Sequence, residues 1–422
     1  MNPATCVILI MVIALILFIT EIIPLSCTAL LVAISFQMIG VIDKADTFKS
    51  FASSTTMIIA AMAIIGEAVF RTGGAKKIGN VITKFAKSER QVIFGTVILS
   101  SLMSGFLSNT GAAGLLIALI SGMCAATGYR RSKLMYPIIV GCCFGGGITV
   151  VGTTSGMFVR ESIEALGTGQ TLGFFEMAPL SIILTLIAAF YMAFIGYKFL
   201  PDNDETDEEY LEAAKNDDVF SDVPKWKTHL SLGVLILTFI GMIFEVIPLH
   251  ITAVLGSVVV MSTKCISTKT AFRAIPMSGV IIYAAMVPVA AAMTNSGAAD
   301  MIAGASQNVL GSLGSPILVI AMMFLIITPI TNCMSNAATI ILFTPIAVIV
   351  AQSLGIDGKA MILAVRFAAS IAIATPIAMP ANSMVVQPGG YKFMDYVKPG
   401  FPLTLICVVV SIAYISIFYP LR

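Results

Sequence analysis

Two short polar patches interrupt a chain that is otherwise mostly apolar. The first is SGFLSNTGAAG, residues 104–114, which carries Ser104, Ser108, Asn109 and Thr110 among glycines. The second is TPITNCMSNAATI, residues 328–340, which carries Thr331, Ser335 and Asn336. The first is flanked by QVIFGTVILSSLM and LLIALISGMCAA. A polar group in hydrocarbon without a partner is costly, so a packing or binding role must compensate for each patch. Serine, threonine and asparagine offer neutral oxygens to a small hard cation, and O–H or N–H donors to a carboxylate. Small residues also let helices pack closely. Two Ser-Asn tips at equivalent positions, each followed by an interrupted span, favour binding.

Such side chains need elements that hold them at depth. Each patch reads as the tip of a helical hairpin. There the ending helix offers bare carbonyls to a cation, and the starting helix offers bare N–H groups and a positive dipole end to an anion. The stretches TVVGTTSG (149–156) and TPIAMPANS (375–383) place Gly152, Pro376 and Pro380 where a helix must break. Irregular backbone at membrane depth is tolerated only when buried in protein or lining a wet cavity. Two tips and two breaks that meet would frame one anion site between two cation sites.

The composition sets the environment. The 422 residues are 58% hydrophobic and 11% charged, with a mean hydropathy of +0.99; soluble domains carry about 25% charged residues. Apolar segments recur from Thr5 to Pro420, which predicts an all-α polytopic membrane protein and excludes a single anchor on a soluble body. The first segment lacks a basic leader, so it is expected to be a span and not a cleaved signal. The net charge of +2 hides a split: residues 201–228 hold 10 acids and 3 bases, leaving 21 bases against 12 acids elsewhere. That stretch is the expected acidic cytoplasmic linker. The eight cysteines show no CxxC spacing and read as small core residues, without a disulfide framework or metal site.

The two halves repeat. EIIPLSCTALL at 21–31 matches EVIPLHITAVL at 245–255 at an offset of 224, Ser108-Asn109 meets Ser335-Asn336 at 227, and Gly152 meets Ala378 at 226. The expected organisation is a first repeat over 1–200 (scaffold helices about 5–72, hairpin and transport helices about 91–200) and a second over 229–422 (scaffold about 229–296, hairpin and transport helices about 314–420). Five crossings per half would make the repeats inverted, as in secondary transporters. Lysines and arginines flanking the first hairpin, from Arg71 to Arg90 and at Arg130, Arg131 and Lys133, put its mouth in the cytoplasm, and the count then leaves both termini outside.

These motifs together resemble the divalent anion:sodium symporters (DASS), within the ion transporter superfamily. The resemblance rests on EIIPL with Thr28-Ala-Leu-Leu, on the paired Ser-Asn hairpins, and on GxxxTxxGT at Gly145–Thr153, and it covers nearly the whole chain. The family has eleven transmembrane helices; ten are counted here, as though the first were missing. It implies a homodimeric elevator in the cell (plasma or inner) membrane. The implied function is sodium-coupled symport of a di- or tricarboxylate such as succinate, malate or citrate. Sulfate or another inorganic anion, or sodium-independent dicarboxylate exchange, stands as the alternative. Carried over by motif, the resemblance implies one sodium site from Ser104, Ser108, Asn109 and Gly152, and a second from Thr331, Met334, Asn336 and Ala378. It implies a substrate site from Asn109, Thr110, Thr153, Ser335, Asn336 and Pro380. No other cofactor is expected; sodium is the coupling ion.

The sequence departs from the family pattern at Ala337, where a threonine is usual. It departs again at Thr153-Thr154-Ser155-Gly156 and Met379-Pro380-Ala381-Asn382, where the family carries a TPPN pattern. The cation pattern is thus better kept than the substrate pattern. Arg366 lies about five residues into an apolar span; it is expected to snorkel outward or cap its neighbours, although a membrane-embedded base is a functional candidate by default. Glu67 and Arg71 read as a structural i, i+4 pair. His229 and His250 are expected near span ends. Residues 73–90 and 297–314 read as interfacial amphipathic arms. An enzyme is not expected: HExxH and GxxxxGK[ST] are absent, and neither histidine lies at depth beside a serine. The large subunit of a binding-protein-dependent transporter would share the plan but need partner subunits.

Overall fold

The computed structural model describes residues 2–20, 22–73, 88–127, 129–202, 223–244, 247–310 and 315–421. These form helices and connecting loops, with no strand among the described residues. The first half contains α1 (Pro3–Thr20), α2 (Leu25–Met38), α3 (Ser54–Arg71), α4 (Glu89–Phe106), α5 (Asn109–Thr127), α6 (Arg131–Gly145), α7 (Thr154–Glu164) and α8 (Ala178–Phe194). The second contains α9 (Lys225–Phe244), α10 (Leu249–Ser262), α11 (Met277–Met286), α12 (Val289–Ser296), α13 (Ala298–Leu310), α14 (Pro316–Thr331), α15 (Asn336–Leu354), α16 (Gly358–Ser370), α17 (Pro380–Met384) and α18 (Phe393–Phe418).

Local chemistry accounts for several boundaries. Ser53 accepts from the Thr56 N–H at 3.2 Å and starts α3; Asp357 accepts from the Ala360 N–H at 2.9 Å and starts α16. Gly355 at φ +65° closes α15 in the left-handed conformation that only glycine adopts cheaply. Pro288 has no N–H and divides what the hydropathy presents as one span into α11 and α12. Six helices among the described residues are long and apolar enough to cross a membrane: α1, α3, the α11–α12 pair, α9, α15 and α18. Others expected as spans are shorter. At 14 residues, α2 and α10 reach only about 21 Å at about 1.5 Å per residue. Large apolar side chains face outward along α1 (Leu9, Ile16), α9 (Ile236, Leu237) and α18 (Val409, Ile417), as a lipid-facing surface requires.

Packing is reciprocal between the halves. Helix α2 lies against α11 while α3 lies against α10; α7 touches α15 while α17 touches α5. Within the first half, α4 and α6 meet backbone to backbone. A Cβ on Gly145 would sit 2.2 Å from the Ser101 carbonyl oxygen, and one on Gly141 would sit 2.3 Å from that of Val97. This Gly-xxx-Gly contact lets α6 fix the depth of the α4–α5 tip.

Several expectations meet the structure here. Glu67 and Arg71 pair at 2.7 Å. His229 and His250 lie within the first five residues of α9 and α10. Lys225–Thr228, assigned to the linker, are already the first turn of α9; residues 203–222 lie outside the described residues. The second arm is helix α13, packed on α15, whereas most of the first, at 74–87, lies outside them. The cysteines are not uniformly core: Cys124, Cys142, Cys143, Cys265 and Cys407 are buried, but Cys27 and Cys333 are exposed. Cys27 sits in the first turn of α2 and Cys333 in the loop at a hairpin tip, where packing thins.

At the start of α6, Asp202 takes ion pairs from Arg130 (2.6 Å) and Lys133 (3.0 Å). Hydrogen bonds from Lys133 and then Arg130 hold the Asp202 carboxyl below its usual range. Lys133 Nζ also caps the carbonyls of Tyr197 (3.1 Å) and Leu200 (2.6 Å), so the end of the first half is tied back onto α6.

Candidate substrate and cation site

Each hairpin tip is built the same way. In the first, α4 ends at Phe106 and α5 begins at Asn109. Ser104 Oγ, in the last turn of α4, lies 2.6 Å from Asn109 Oδ1 and 3.0 Å from the Cys142 carbonyl of α6. In the second, Thr331 Oγ1 lies 3.0 Å from Asn336 Oδ1 and 2.8 Å from the Ala369 carbonyl of α16. All three partners recur at an offset of 227. The breaks correspond as well: Thr149 Oγ1 donates to the Gly105 carbonyl at 2.7 Å, and Thr375 Oγ1 donates to the Asn332 carbonyl at 2.5 Å. A threonine in each broken span thus holds the end of the adjoining hairpin helix.

The tips and breaks enclose a cavity of about 380 Å³. It brings together all six residues of the expected substrate set, Asn109, Thr110, Thr153, Ser335, Asn336 and Pro380. Ser108 and Gly152 of the expected cation set also line it. Ser104, Thr331, Met334 and Ala378 lie behind this wall, each fully buried. Three helices of eleven residues or more, α5, α7 and α15, begin at the cavity. Ser108 accepts from the Gly111 N–H at 3.2 Å, Thr153 from that of Gly156 at 3.2 Å, and Ser335 from that of Ala338 at 3.3 Å. Positive helix ends and spare N–H groups therefore converge on one space, an arrangement suited to an anion.

Carbonyls gather beside it. A Cβ on Gly152 would meet the carbonyl oxygens of Gly105 at 2.9 Å, Gly146 at 3.3 Å and Ser104 at 3.3 Å. With Asn109 Oδ1 held by Ser104, this is an oxygen-rich cradle that a small hard cation could occupy. At the second break, Asn382 donates through Nδ2 to the carbonyls of Ala372 and Thr375, both at 2.9 Å. Its Oδ1 is buried without a hydrogen-bond partner, a spare acceptor beside Ala378.

Arg366 was not assigned to this site from the sequence. It does not snorkel, being 3% exposed and lining the cavity, but it does cap a neighbour, Ser370, one turn along its own helix. Nη2 donates to the Gly146 carbonyl at 3.1 Å and to Thr153 Oγ1 at 3.3 Å, and Nη1 donates to Ser370 Oγ. The available signal was a base inside an apolar span with no acid within a helical turn. Met379 is the other unassigned neighbour, its sulfur 3.7 Å from Asn109 Nδ2.

Comparison with known proteins gives concordant results. A family model described as a citrate transporter matches residues 15–365. An uncharacterized transporter of Synechocystis, sll0640, is 21% identical over 97% of this chain and 96% of its own length. The sodium-dependent high-affinity dicarboxylate transporter 3 of Caenorhabditis elegans is 23% identical over 94% of this chain and 80% of its own. Human solute carrier family 13 member 1 is 29% identical over 46% of this chain and 32% of its own. Among solved structures, MtrF of Neisseria gonorrhoeae, from a class of antimetabolite efflux pumps, superposes with a TM-score of 0.65 at 16% identity over 99% of this chain and 95% of that one. The YdaH transporter of Alcanivorax borkumensis superposes with a TM-score of 0.63 at 12% identity over 100% of this chain and 99% of that one. At these identities the structural matches speak for the fold alone.

Proposed function

Because the chain belongs to the divalent anion:sodium symporter family, we propose that this multi-pass membrane transporter carries a small carboxylate anion inward with sodium, by an elevator movement of a homodimer. The observation that carries the reading is the cavity itself: three helix N-termini and the side chains of Asn109, Thr110, Thr153, Ser335 and Asn336 face one space with carbonyl oxygens beside it. The two Ser/Thr–Asn–carbonyl sets would be two cation sites, from Ser104, Ser108, Asn109 and Gly152, and from Thr331, Met334, Asn336 and Ala378. The recurrence of their bonds at a fixed offset supports reading the halves as inverted repeats. The dicarboxylate transporter among the relatives supports a carboxylate over sulfate. The energy would come from the ion gradient, and the reaction is movement without a covalent step.

In the elevator reading, α1–α3 and α9–α12 are the fixed scaffold, and the hairpins move with α6–α8 and α16–α18. A polar tie crosses that boundary: Tyr283 of α11 donates to Glu161 of α7 and lies 3.4 Å from Ser53 Oγ. Movement would break it.

Uptake of radiolabelled succinate, citrate, malate and sulfate into proteoliposomes, with sodium or choline outside, tests the coupling. Carboxylate uptake should require sodium; uptake unchanged in choline would overturn it. Movement is tested separately. A cysteine at Thr110, in a background lacking the native cysteines, should label from the cytoplasmic side and be slowed by sodium with substrate. Equal labelling from both sides in every condition would point to a static pore.

A further inference from the structure

We infer that Arg366 is the fixed positive charge that binds the transported anion, and that the anion is a carboxylate serving as its missing counter-ion. This deepens the anion-transport reading and rests on it. Arg366 keeps its charge, since a guanidinium does not deprotonate in proteins. Yet it is buried, and every partner it has is neutral: the Gly146 carbonyl, Thr153 Oγ1 and Ser370 Oγ. Its Nε has no partner, and no carboxylate pairs with it among the described residues. Burying an unpaired charge is strongly unfavourable. Fastening the Gly146 loop does not explain it, because a neutral amide could donate those bonds without bringing a charge out of water.

The surroundings say what completes the pair. Arg366 lines the same cavity as Asn109, Thr110 and Thr153, where α5 and α7 begin. Its counterpart 227 residues upstream is the buried Ile139, so the charge exists on one side only. The second tip contributes Ser335, Asn336 and Ala337, with no charge and one hydroxyl fewer than the first. The rest of the wall includes Ile58, Ile59, Met62 and Ile282. The site is therefore polarised. One carboxylate is obligatory and docks at the Arg366–Thr153 pole, while the carbon skeleton lies against the apolar wall. The guanidinium fork takes carboxylates and tetrahedral oxyanions alike; the apolar wall, which has no partner for an inorganic anion, is what favours a carboxylate on a carbon skeleton.

Arg366→Gln and Arg366→Lys test this, with two measurements on the purified full-length protein. One is the KM for succinate uptake. The other is the thermal unfolding midpoint in sodium, alone and with succinate, acetate or sulfate added. Loss of the charged contact should raise KM in the Gln variant by roughly 10- to 150-fold, and the Lys variant should fall between it and the parent. Without an anion the Gln variant should unfold at the same or a higher temperature than the parent, because an uncompensated charge is gone. The rise in midpoint given by succinate should vanish. A lowered midpoint together with an unchanged KM would make Arg366 a structural fastener and overturn the proposal. So would equal protection of parent and Gln variant by succinate. If the Gln variant does not fold, the Lys variant decides alone, and an unchanged KM there overturns the idea. Sodium-independent uptake in the parent would sink the coupling, while loss of the succinate shift in the variants would still stand for Arg366.

Discussion

Asn109→Asp should lower anion uptake about 1000-fold in a protein that still folds. The side chains are nearly isosteric, and the acceptor that Ser104 reaches at 2.6 Å survives the change. What changes is the other atom of the head group. The amide donor, now 3.7 Å from the Met379 sulfur and available to an anion, becomes a second anionic oxygen. Two like charges about 4 Å apart at an effective dielectric near 20 repel by about 4 kcal/mol, which is roughly 1000-fold in affinity. The new carboxylate would also compete for Arg366, since both positions border Gly146. A carboxylate favours a cation, however, so sodium alone should still raise the thermal unfolding midpoint. Asn336→Asp should behave likewise, because its Oδ1 is held by Thr331 as that of Asn109 is held by Ser104. The measurement is uptake paired with sodium-dependent thermal stability. Near-normal uptake by either variant would remove these asparagines from the anion site, and loss of the sodium shift with loss of uptake would indicate misfolding.

What could be read from the chain was whatever has a local signature. The hairpin tips showed because Ser, Asn and Thr are conspicuous inside an apolar run, and the breaks showed because Gly152, Pro376 and Pro380 interrupt it. The repeat showed because EIIPL and the Ser-Asn pairs keep their order and spacing. The structure adds what has no side-chain signature. The oxygens bonded by Ser104 and Thr331 are main-chain carbonyls of Cys142 and Ala369, and any residue type supplies a carbonyl. The close approach of Gly141 and Gly145 to α4 is likewise invisible without knowing which helix lies opposite. The sequence shows only part of the surroundings of Arg366, the neighbouring Ser370, for a related reason. Its position in the span is plain, but two of its three partners, Gly146 and Thr153, are more than 200 residues away. Sequence spacing measured depth along one helix and could not say which face met the cavity.

Ala337→Thr should shift selectivity toward symmetrical C4 dicarboxylates. Ala337 follows Asn336 at the start of α15 and lines the cavity that Arg366 also lines. At the equivalent place in the first half, Thr110 follows Asn109 and lines the same cavity. Restoring the hydroxyl would give both tips the same donor set, Ser-Asn-Thr. One hydrogen bond to a charged group is worth about 1.5–3 kcal/mol, roughly 10- to 150-fold in affinity. The gain should go to an anion long enough to reach both poles. Succinate should therefore compete more strongly in the variant, while acetate, held at the Arg366 pole alone, should barely change. Sulfate cannot span the two ends and should also stay level. Competition of the three anions against labelled substrate, parent against variant, measures this directly. A water bridging the Ala337 gap is the physical rival, since it would supply a donor already. Under that rival the ranking would not move, and the determinants of selectivity would have to lie at Thr153–Ser155 and Met379 instead.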